Sequence, residues 1–296
     1  MMNPELKKNQ TLVCFGEILW DLLPTGAVPG GAPMNVAYHL HTLGLHPRLI
    51  TRLGKDQRGI DLQRILLDNH IDIGLVQVDP LVPTGIVKAS PDENGDMTYD
   101  IVTPAAWDEI TIDPSLLEVV GSADYFIFGS LVARSERSRL TLLELLDHAN
   151  IKVLDINLRA PNYTQPLVEQ LMQRADVVKM NIDELALINA WYGDITDTEG
   201  QMMFLKERFA LKSILVTRGA EGAIVYYDGQ WASHPGFRVK VADTVGSGDS
   251  FLAGFLYSVI NGRPVSDALA FACALGSFVA TKTGAWPVYK PEEILS

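Results

Sequence analysis

Seven short runs of the chain are rich in Val, Ile, Leu and aromatic residues: 12–15, 48–53, 125–128, 152–156, 176–180, 213–217 and 223–227. Their composition and length predict β-strands. Between several of them, apolar residues return every three to four positions, over 33–43, 57–69, 135–150, 166–174, 183–190 and 199–209, which predicts helices. The first of these has Pro33 in its opening turn and Gly44 just past its end, the punctuation that a helix favours. Strand and helix in alternation predict an α/β fold, with βαβ units around a mostly parallel sheet. In such sheets, ligands bind beyond the C-terminal ends of the strands.

One stretch breaks the rhythm. Residues 84–102, TGIVKASPDENGDMTYDIV, alternate on either side of a polar turn at 92–96. That is a hairpin pattern, which fits an ordinary edge hairpin as well as a small flap on the main sheet. Near the C-terminus, Phe251, Leu252, Phe255, Leu256, Val259 and Ile260 form an apolar stripe. It predicts a helix that starts near Gly248 or Asp249 and ends around Asn261-Gly262. Residues 268–287 are small and apolar nearly all round, as in a buried helix. No repeat or linker interrupts the pattern, so the chain reads as one domain over 1–296 with the hairpin as an appendage.

Composition narrows the function classes. The 296 residues are 47% hydrophobic and 20% charged, enough apolar material for a large core. The net charge of −12 argues against nucleic acid as a partner, because a binder needs a basic surface to release counterions. No run of about 18 apolar residues predicts a membrane span. The start, MMNPELKKNQTLVCF, lacks the long apolar core of a secretory signal. Cys14 and Cys273 both sit in apolar surroundings and read as buried free thiols, which points to the cytoplasm. His39 and His41 are two apart on a predicted helix and share no face, so they do not read as a zinc pair.

Candidate chemistry concentrates in DTVGSGDSFLAGF, residues 243–255. Gly246, Ser247 and Gly248 precede a helix N-terminus. Unpaired amides and the positive end of the helix dipole attract an anion there, and missing side chains let it approach. No G-x-x-x-x-G-K-[ST] occurs, so this is not a Walker P-loop, and Asp249 follows the glycines instead of a lysine. A phosphoryl group at the turn and a hydroxyl at the carboxylate describe phosphoryl transfer to an alcohol. The helix N-terminus is expected to lower the Asp249 pKa, leaving a weak base that suffices if the proton departs late. Taken alone, the same residues fit a plain N-cap beside a glycine turn equally well.

The stretch resembles the signature D-T-x-G-[AS]-G-D-x-F-x-x-G of the ribokinase-like (PfkB) carbohydrate kinases. That resemblance implies a three-layer α/β/α fold with a mostly parallel central sheet, and a small β lid made of 84–102 with part of 21–30. It implies that Asp249 is the catalytic base and that the amides of Gly246, Ser247 and Gly248 hold the γ-phosphoryl group of ATP. FGEILWDLLP, residues 15–24, and PGGAPMN, residues 29–35, resemble the family's sugar-binding signature, in which Asp21, Gly31 and Asn35 bind the acceptor. Bare, Gly30-Gly31 is also a plausible loop leading into a helix. LDINLRAP, residues 154–161, resembles D-x-N-x-R, which implies that Arg159 meets the phosphoryl group or the substrate.

VKMNIDELAL, residues 178–187, carries an N-x-x-E spacing that fits a simple capping box. The resemblance adds that Asn181 reaches the nucleotide phosphates and that Glu184 organises Mg²⁺ through water. It places Thr217 and Gly219 under the nucleotide, with Gly222 shaping the turn, and Ala272, Cys273 and Gly276 beside the adenine. Some members also hold a monovalent cation such as K⁺ with carbonyls at places matched here by Asp243, Val245 and Gly284; Val288 stands where several of them carry serine. GEILWD, DINLRAP and YFIFGSLVARSE are most similar to fructokinases, bacterial ones in particular. 2-Keto-3-deoxygluconate kinase and ribokinase are the alternatives within the family, and a non-catalytic sugar or nucleotide sensor is the alternative outside catalysis. The lid is expected to close over the sugar, with Tyr99 or Trp107 as stacking candidates that fit core packing at least as well. Such flaps also mediate homodimers in the family.

Overall fold

The computed structural model describes residues 10–23, 26–91 and 97–294, without the side chains of 89–91 and 97–99. Thirteen strands run in chain order: β1 (Leu12–Phe15), β2 (Leu19–Leu23), β3 (Gly26–Gly30), β4 (Arg48–Gly54), β5 (Val76–Asp79), β6 (Gly85–Pro91), β7 (Met97–Ile101), β8 (Tyr125–Gly129), β9 (Ile151–Asp155), β10 (Val177–Asn181), β11 (Ser213–Thr217), β12 (Ala223–Tyr227) and β13 (Gln230–His234). The helices are α1 (Ala32–Thr42), α2 (Gln57–Asp68), α3 (Pro114–Ser122), α4 (Glu136–His148), α5 (Gln165–Met172), α6 (Ile182–Ala190), α7 (Thr198–Arg208), α8 (Ser247–Ile260) and α9 (Val265–Ala280).

Nine strands form the main sheet in the order β13-β12-β11-β10-β9-β8-β1-β4-β5. The pairings from β11 across to β5 are parallel, and β12 and β13 add an antiparallel edge. The β1 side chains explain the three layers. Leu12 and Cys14 enter one core with α1, α2, α8 and α9, while Val13 and Phe15 enter the other with α3 to α7. A parallel sheet is buried on both faces, so its strands are apolar at nearly every position. Strand order reverses at β1, with β4 and β5 on one side and β8 to β11 on the other, and loops at such a switch leave a crevice at the strand C-termini.

A second, four-stranded sheet has the order β3-β2-β6-β7. β6 and β7 form the antiparallel hairpin, and β2 joins it in parallel through Leu19↔Gly85 to Leu22↔Lys88. Residues 19–23 and 26–30, of which the resemblance put part of 21–30 in the lid, form β2 and β3; β2 pairs with β6 of the hairpin and β3 pairs antiparallel with β2. The hairpin's polar turn at 92–96 lies outside the described residues. The short strands β5 and β13 and helix α3 were not expected. Helix α9 stops at Ala280, short of the apolar run to 287; Thr281 N–H closes the last turn on Phe278 O, and the chain then leaves the helix through Gly284 at φ 77. Cys14 and Cys273 are free and buried, as expected. Among the described residues, no helix is long and apolar enough to cross a membrane.

Candidate active site

Asp249 lies in the first turn of α8 and is buried. Gly246 caps that helix in the left-handed region, φ 76, where an L side chain is strained, and a Cβ there would stand 2.5 Å from Ala285 Cβ. The first helical bond runs from Ser250 N–H to Gly246 O, 2.8 Å. The Gly248 and Asp249 amides therefore fall in the unpaired first turn, while the Ser247 amide reaches back to Thr244 O at 3.3 Å. The Ser247 hydroxyl donates to Gly276 O, 3.0 Å, tying the turn to α9.

Asn35, in α1, donates from Nδ2 to Asp249 Oδ2 at 2.8 Å. Its Oδ1 accepts from the Trp286 indole, also at 2.8 Å. Gly31 caps the N-terminus of α1, and Asp21 on β2 sets its carboxylate against Gly30. The Asp21 carboxyl is pushed up to about 6 by burial, with Arg159 opposing and Asp243 and Asp249 adding to the rise. Arg159 is exposed, donates to Leu158 O at 3.0 Å, and acts electrostatically on Glu17, Asp21, Asp155 and Asp249. The three N-terminal candidates and the C-terminal carboxylate therefore lie together: Gly31 caps the helix of Asn35, Asn35 bonds Asp249, and Asp249 acts on Asp21.

Burial also decides the Asp249 pKa. Contrary to the lowering expected from the helix terminus, the carboxyl is pushed up to about 6, first by burial and then by Asp155. Lys179, the Asn35 hydrogen bond and Arg159 oppose the rise. Loss of solvation for a fully enclosed carboxylate outweighs a partial dipole charge of roughly half a unit. The group is thus better matched to accepting a proton near neutrality than the sequence suggested.

Three buried ionisable side chains were not foreseen. Lys179 on β10 places Nζ 3.1 and 3.0 Å from the two oxygens of Asp155, at the end of β9. A Cβ on Gly248 would lie 2.8 Å from Nζ, so the ammonium sits beside the glycine turn. Burial alone would lower the Lys179 pKa, but Asp155, Asp249 and Glu184 raise it, and it stays charged. The third is Glu17, just past β1, whose Oε1 accepts from Ala32 N–H at 3.2 Å and which burial pushes up to about 7. The signal for Lys179 was its place inside the apolar run VVKM, where a lysine requires an anionic partner.

Asn181 and Glu184 form the capping box of α6. Glu184 N–H donates to Asn181 Oδ1 and Asn181 N–H to Glu184 Oε2, both at 2.8 Å. Glu184 Oε1 also accepts from Leu158 N–H at 2.7 Å, and burial raises its pKa. A cavity of about 340 Å³ opens beside the turn, lined by Thr217, Gly219, Gly222, Ser247, Gly248, Cys273 and Gly276 among others. The loop 236–241, with Phe237 and Val239 exposed, forms a wall that the sequence did not disclose. Ala272 is not on that wall; it is fully buried and packs against Gly254. Asp243 accepts from Val245 N–H through one oxygen and from Gly284 N–H through the other, both at 3.0 Å.

Trp107 does not face a sugar. It is fully buried against Gly85, with the Arg134 guanidinium 3.9 Å from its ring centre. The Tyr99 side chain lies outside the described residues. Arg52 is paired with Asp79 at 2.7 Å and Arg134 with Asp108 at 2.8 Å. Among the described residues, no group of three His, Cys, Asp or Glu side chains could hold a metal by itself.

The α/β/α fold sets a glycine turn at a helix N-terminus beside the buried Asp249 carboxylate, with the Asn35 amide against that carboxylate. Residues 12–290 match the pfkB family carbohydrate kinase profile, and the chain belongs to that family. It is a sugar kinase. The fructokinase of Escherichia coli is 30% identical over 82% of each chain. The crystal structure of fructokinase from Vibrio cholerae in its fructose-, ADP- and calcium-bound form superposes with a TM-score of 0.82, at 24% identity over 97% of this chain and 98% of that one. Aminoimidazole riboside kinase from Salmonella enterica, complexed with aminoimidazole riboside and an ATP analogue, gives 0.80 at 22% identity over 97% and 99%.

Proposed function

We propose that the chain transfers the γ-phosphoryl group of ATP to fructose, giving fructose 6-phosphate, with Asp249 accepting the hydroxyl proton. The observation that carries this reading is the 2.8 Å contact between Asn35 and Asp249 beside the glycine turn. It joins the polar groups of Asp21 and Asn35 at Gly31 to the turn, whose Ser247 and Gly248 line the cavity. ATP occupies that cavity, over Thr217 and Gly219, with its phosphates toward Asn181 and the Gly246 to Gly248 turn. Arg159 and Lys179 offset the phosphate charge that an acidic chain must accommodate.

Each Glu184 oxygen accepts one backbone amide and keeps a further lone pair, which suits contact to a magnesium-bound water. Magnesium, when bound with ATP, neutralises charge on the phosphates. The Asp243 carboxylate gathers the Val245 and Gly284 backbones, whose carbonyls are the candidates for K⁺. The small sheet that carries Asp21 acts as a lid closing over the sugar, and a pair of lids supports a homodimer. The chain works in the cytoplasm.

Arg52 and Arg134 are committed to Asp79 and Asp108, which leaves Arg159 as the cation for a sugar-acid carboxylate and favours a neutral sugar over 2-keto-3-deoxygluconate. An intact turn and an enclosed Asp249 favour catalysis over sensing. The test is ADP release with fructose, ribose and 2-keto-3-deoxygluconate at equal concentrations. The expected result is the highest kcat/KM with fructose. Preference for another sugar overturns the acceptor, and activity with none overturns the enzyme reading.

A further inference from the structure

We propose that Trp286 is a positioning residue for phosphoryl transfer, holding the Asn35 amide in the orientation that presents its NH₂ group to Asp249. The inference rests on Asp249 being the base. An indole N–H can only donate, so the Trp286 bond to Asn35 Oδ1 turns Nδ2 toward the carboxylate. A flipped amide would face oxygen to carboxylate and NH₂ to indole N–H, two repulsive contacts at once.

Trp286 is itself held. Its ring stacks on Tyr38, one turn along α1 from Asn35, with centroids 4.5 Å apart and planes at 9°. The Tyr38 hydroxyl donates to Pro287 O at 3.1 Å. The next residue on α1, His39, reaches Ala285 O with Nε2 at 3.0 Å and the Tyr289 hydroxyl with Nδ1 at 2.9 Å. A carbonyl only accepts, so Nε2 carries the proton; burial pushes the His39 pKa down to about 4, so the ring is neutral. Residues 285–289 are thus strapped to α1. The same segment touches the anion turn, because Gly284 N–H donates to Asp243 and Ala285 packs against Gly246. Trp286 is the point at which this strap reaches the reacting groups.

The bond that Asn35 donates favours the charged form of Asp249. The other charges bearing on that carboxylate are Asp155 from β9, Lys179 from β10, Arg159 beyond β9, Glu17 beyond β1 and Asp21 from β2, whereas the Trp286 indole donates to Asn35. Trp286→Phe keeps a ring on Tyr38 and removes only the donor. In the full-length enzyme, kcat/KM for fructose should fall about tenfold, as for one lost hydrogen bond, with KM for ATP within about twofold. The acid limb of the kcat/KM profile should move up by about half a pH unit. With Asn35→Ala already present, Trp286→Phe should change neither quantity further.

An unmoved acid limb, or losses that add to those of Asn35→Ala, would show that Trp286 only packs, and would overturn the proposal. If Trp286→Phe is silent while Asn35→Ala and Asp249→Asn are impaired, the positioning role falls and the assignment of the base stands. If Asp249→Asn is itself silent, both fall.

Discussion

Lys179 and Asp155 form a buried ion pair, Nζ to Oδ2 at 3.0 Å, between neighbouring strands and beside the turn assigned to the transferred phosphoryl group. Removing one partner strands a charge in a low-dielectric interior, at a cost of about 3–5 kcal/mol. Lys179→Met should lower the thermal midpoint by on the order of 10 °C. The double variant Asp155→Asn/Lys179→Met should recover part of that loss, because no lone charge remains. A double variant less stable than the single one contradicts a mutually compensating pair.

A base whose carboxyl titrates at about 6 predicts a pH–rate profile for kcat/KM that falls below about pH 6 with the uptake of one proton. The same shift has a stability consequence. The folded pKa lies above the ordinary carboxylate value of 3.8, so the folded state binds the proton more tightly than the unfolded chain. Asp249 therefore lowers stability progressively as pH rises from about 4 to about 6, and the cost persists above that. Asp249→Asn should melt higher than the parent at pH 8, with the gap closing toward pH 4. A lower midpoint at pH 8 contradicts the raised pKa.

Glu184 separates a purely structural role from a metal role. Glu184→Gln keeps an acceptor for one of its two backbone amides, loses the other bond and the charge, and should lower the thermal midpoint by only a few degrees. The Mg²⁺ concentration for half-maximal rate should rise about 10- to 100-fold, the usual effect of losing an outer-shell partner. An unchanged Mg²⁺ requirement leaves Glu184 as a cap alone.

Gly246→Ala tests the turn itself. The left-handed conformation costs an L residue about 1–2 kcal/mol, and the new methyl would meet Ala285 Cβ at 2.5 Å. The chain should relieve both by shifting the turn, with at least about a tenfold loss of kcat and a thermal midpoint several degrees lower. A fully active Gly246→Ala would mean that the conformation of Gly246 is not required for transfer.

The seven strands and six helices written in period and composition were legible because each buries both faces of a sheet or one stripe of a helix. Strands 213–217 and 223–227 fall where the apolar runs placed them. What escaped depends on partners distant in sequence. Only the resemblance put part of 21–30 in the lid, because LWDLL and GAVPG carry no strand pattern of their own: β2 pairs with β6 far along the chain, Leu19 against Gly85, and β3 pairs with β2. Trp107 fitted a sugar platform and a core residue equally in the sequence, because nothing local reveals that Gly85 and Arg134 enclose it. In the site, Asp249 and Asn35 were visible as residue types in a pattern, while the Asp249 pKa was misjudged because the helix terminus is local and the burial is not. Trp286 carried no signal at all; its role exists only through its bond to Asn35.

Asp249 is the group proposed to take the proton of the acceptor hydroxyl. Turnover of Asp249→Asn, measured with its binding of ATP and fructose, tests this role most directly. Asn keeps the shape and an acceptor for Asn35 but cannot accept the proton. The expected result is kcat reduced by at least about 10²-fold with both ligands still bound; near-parental turnover would contradict the role of Asp249 as base.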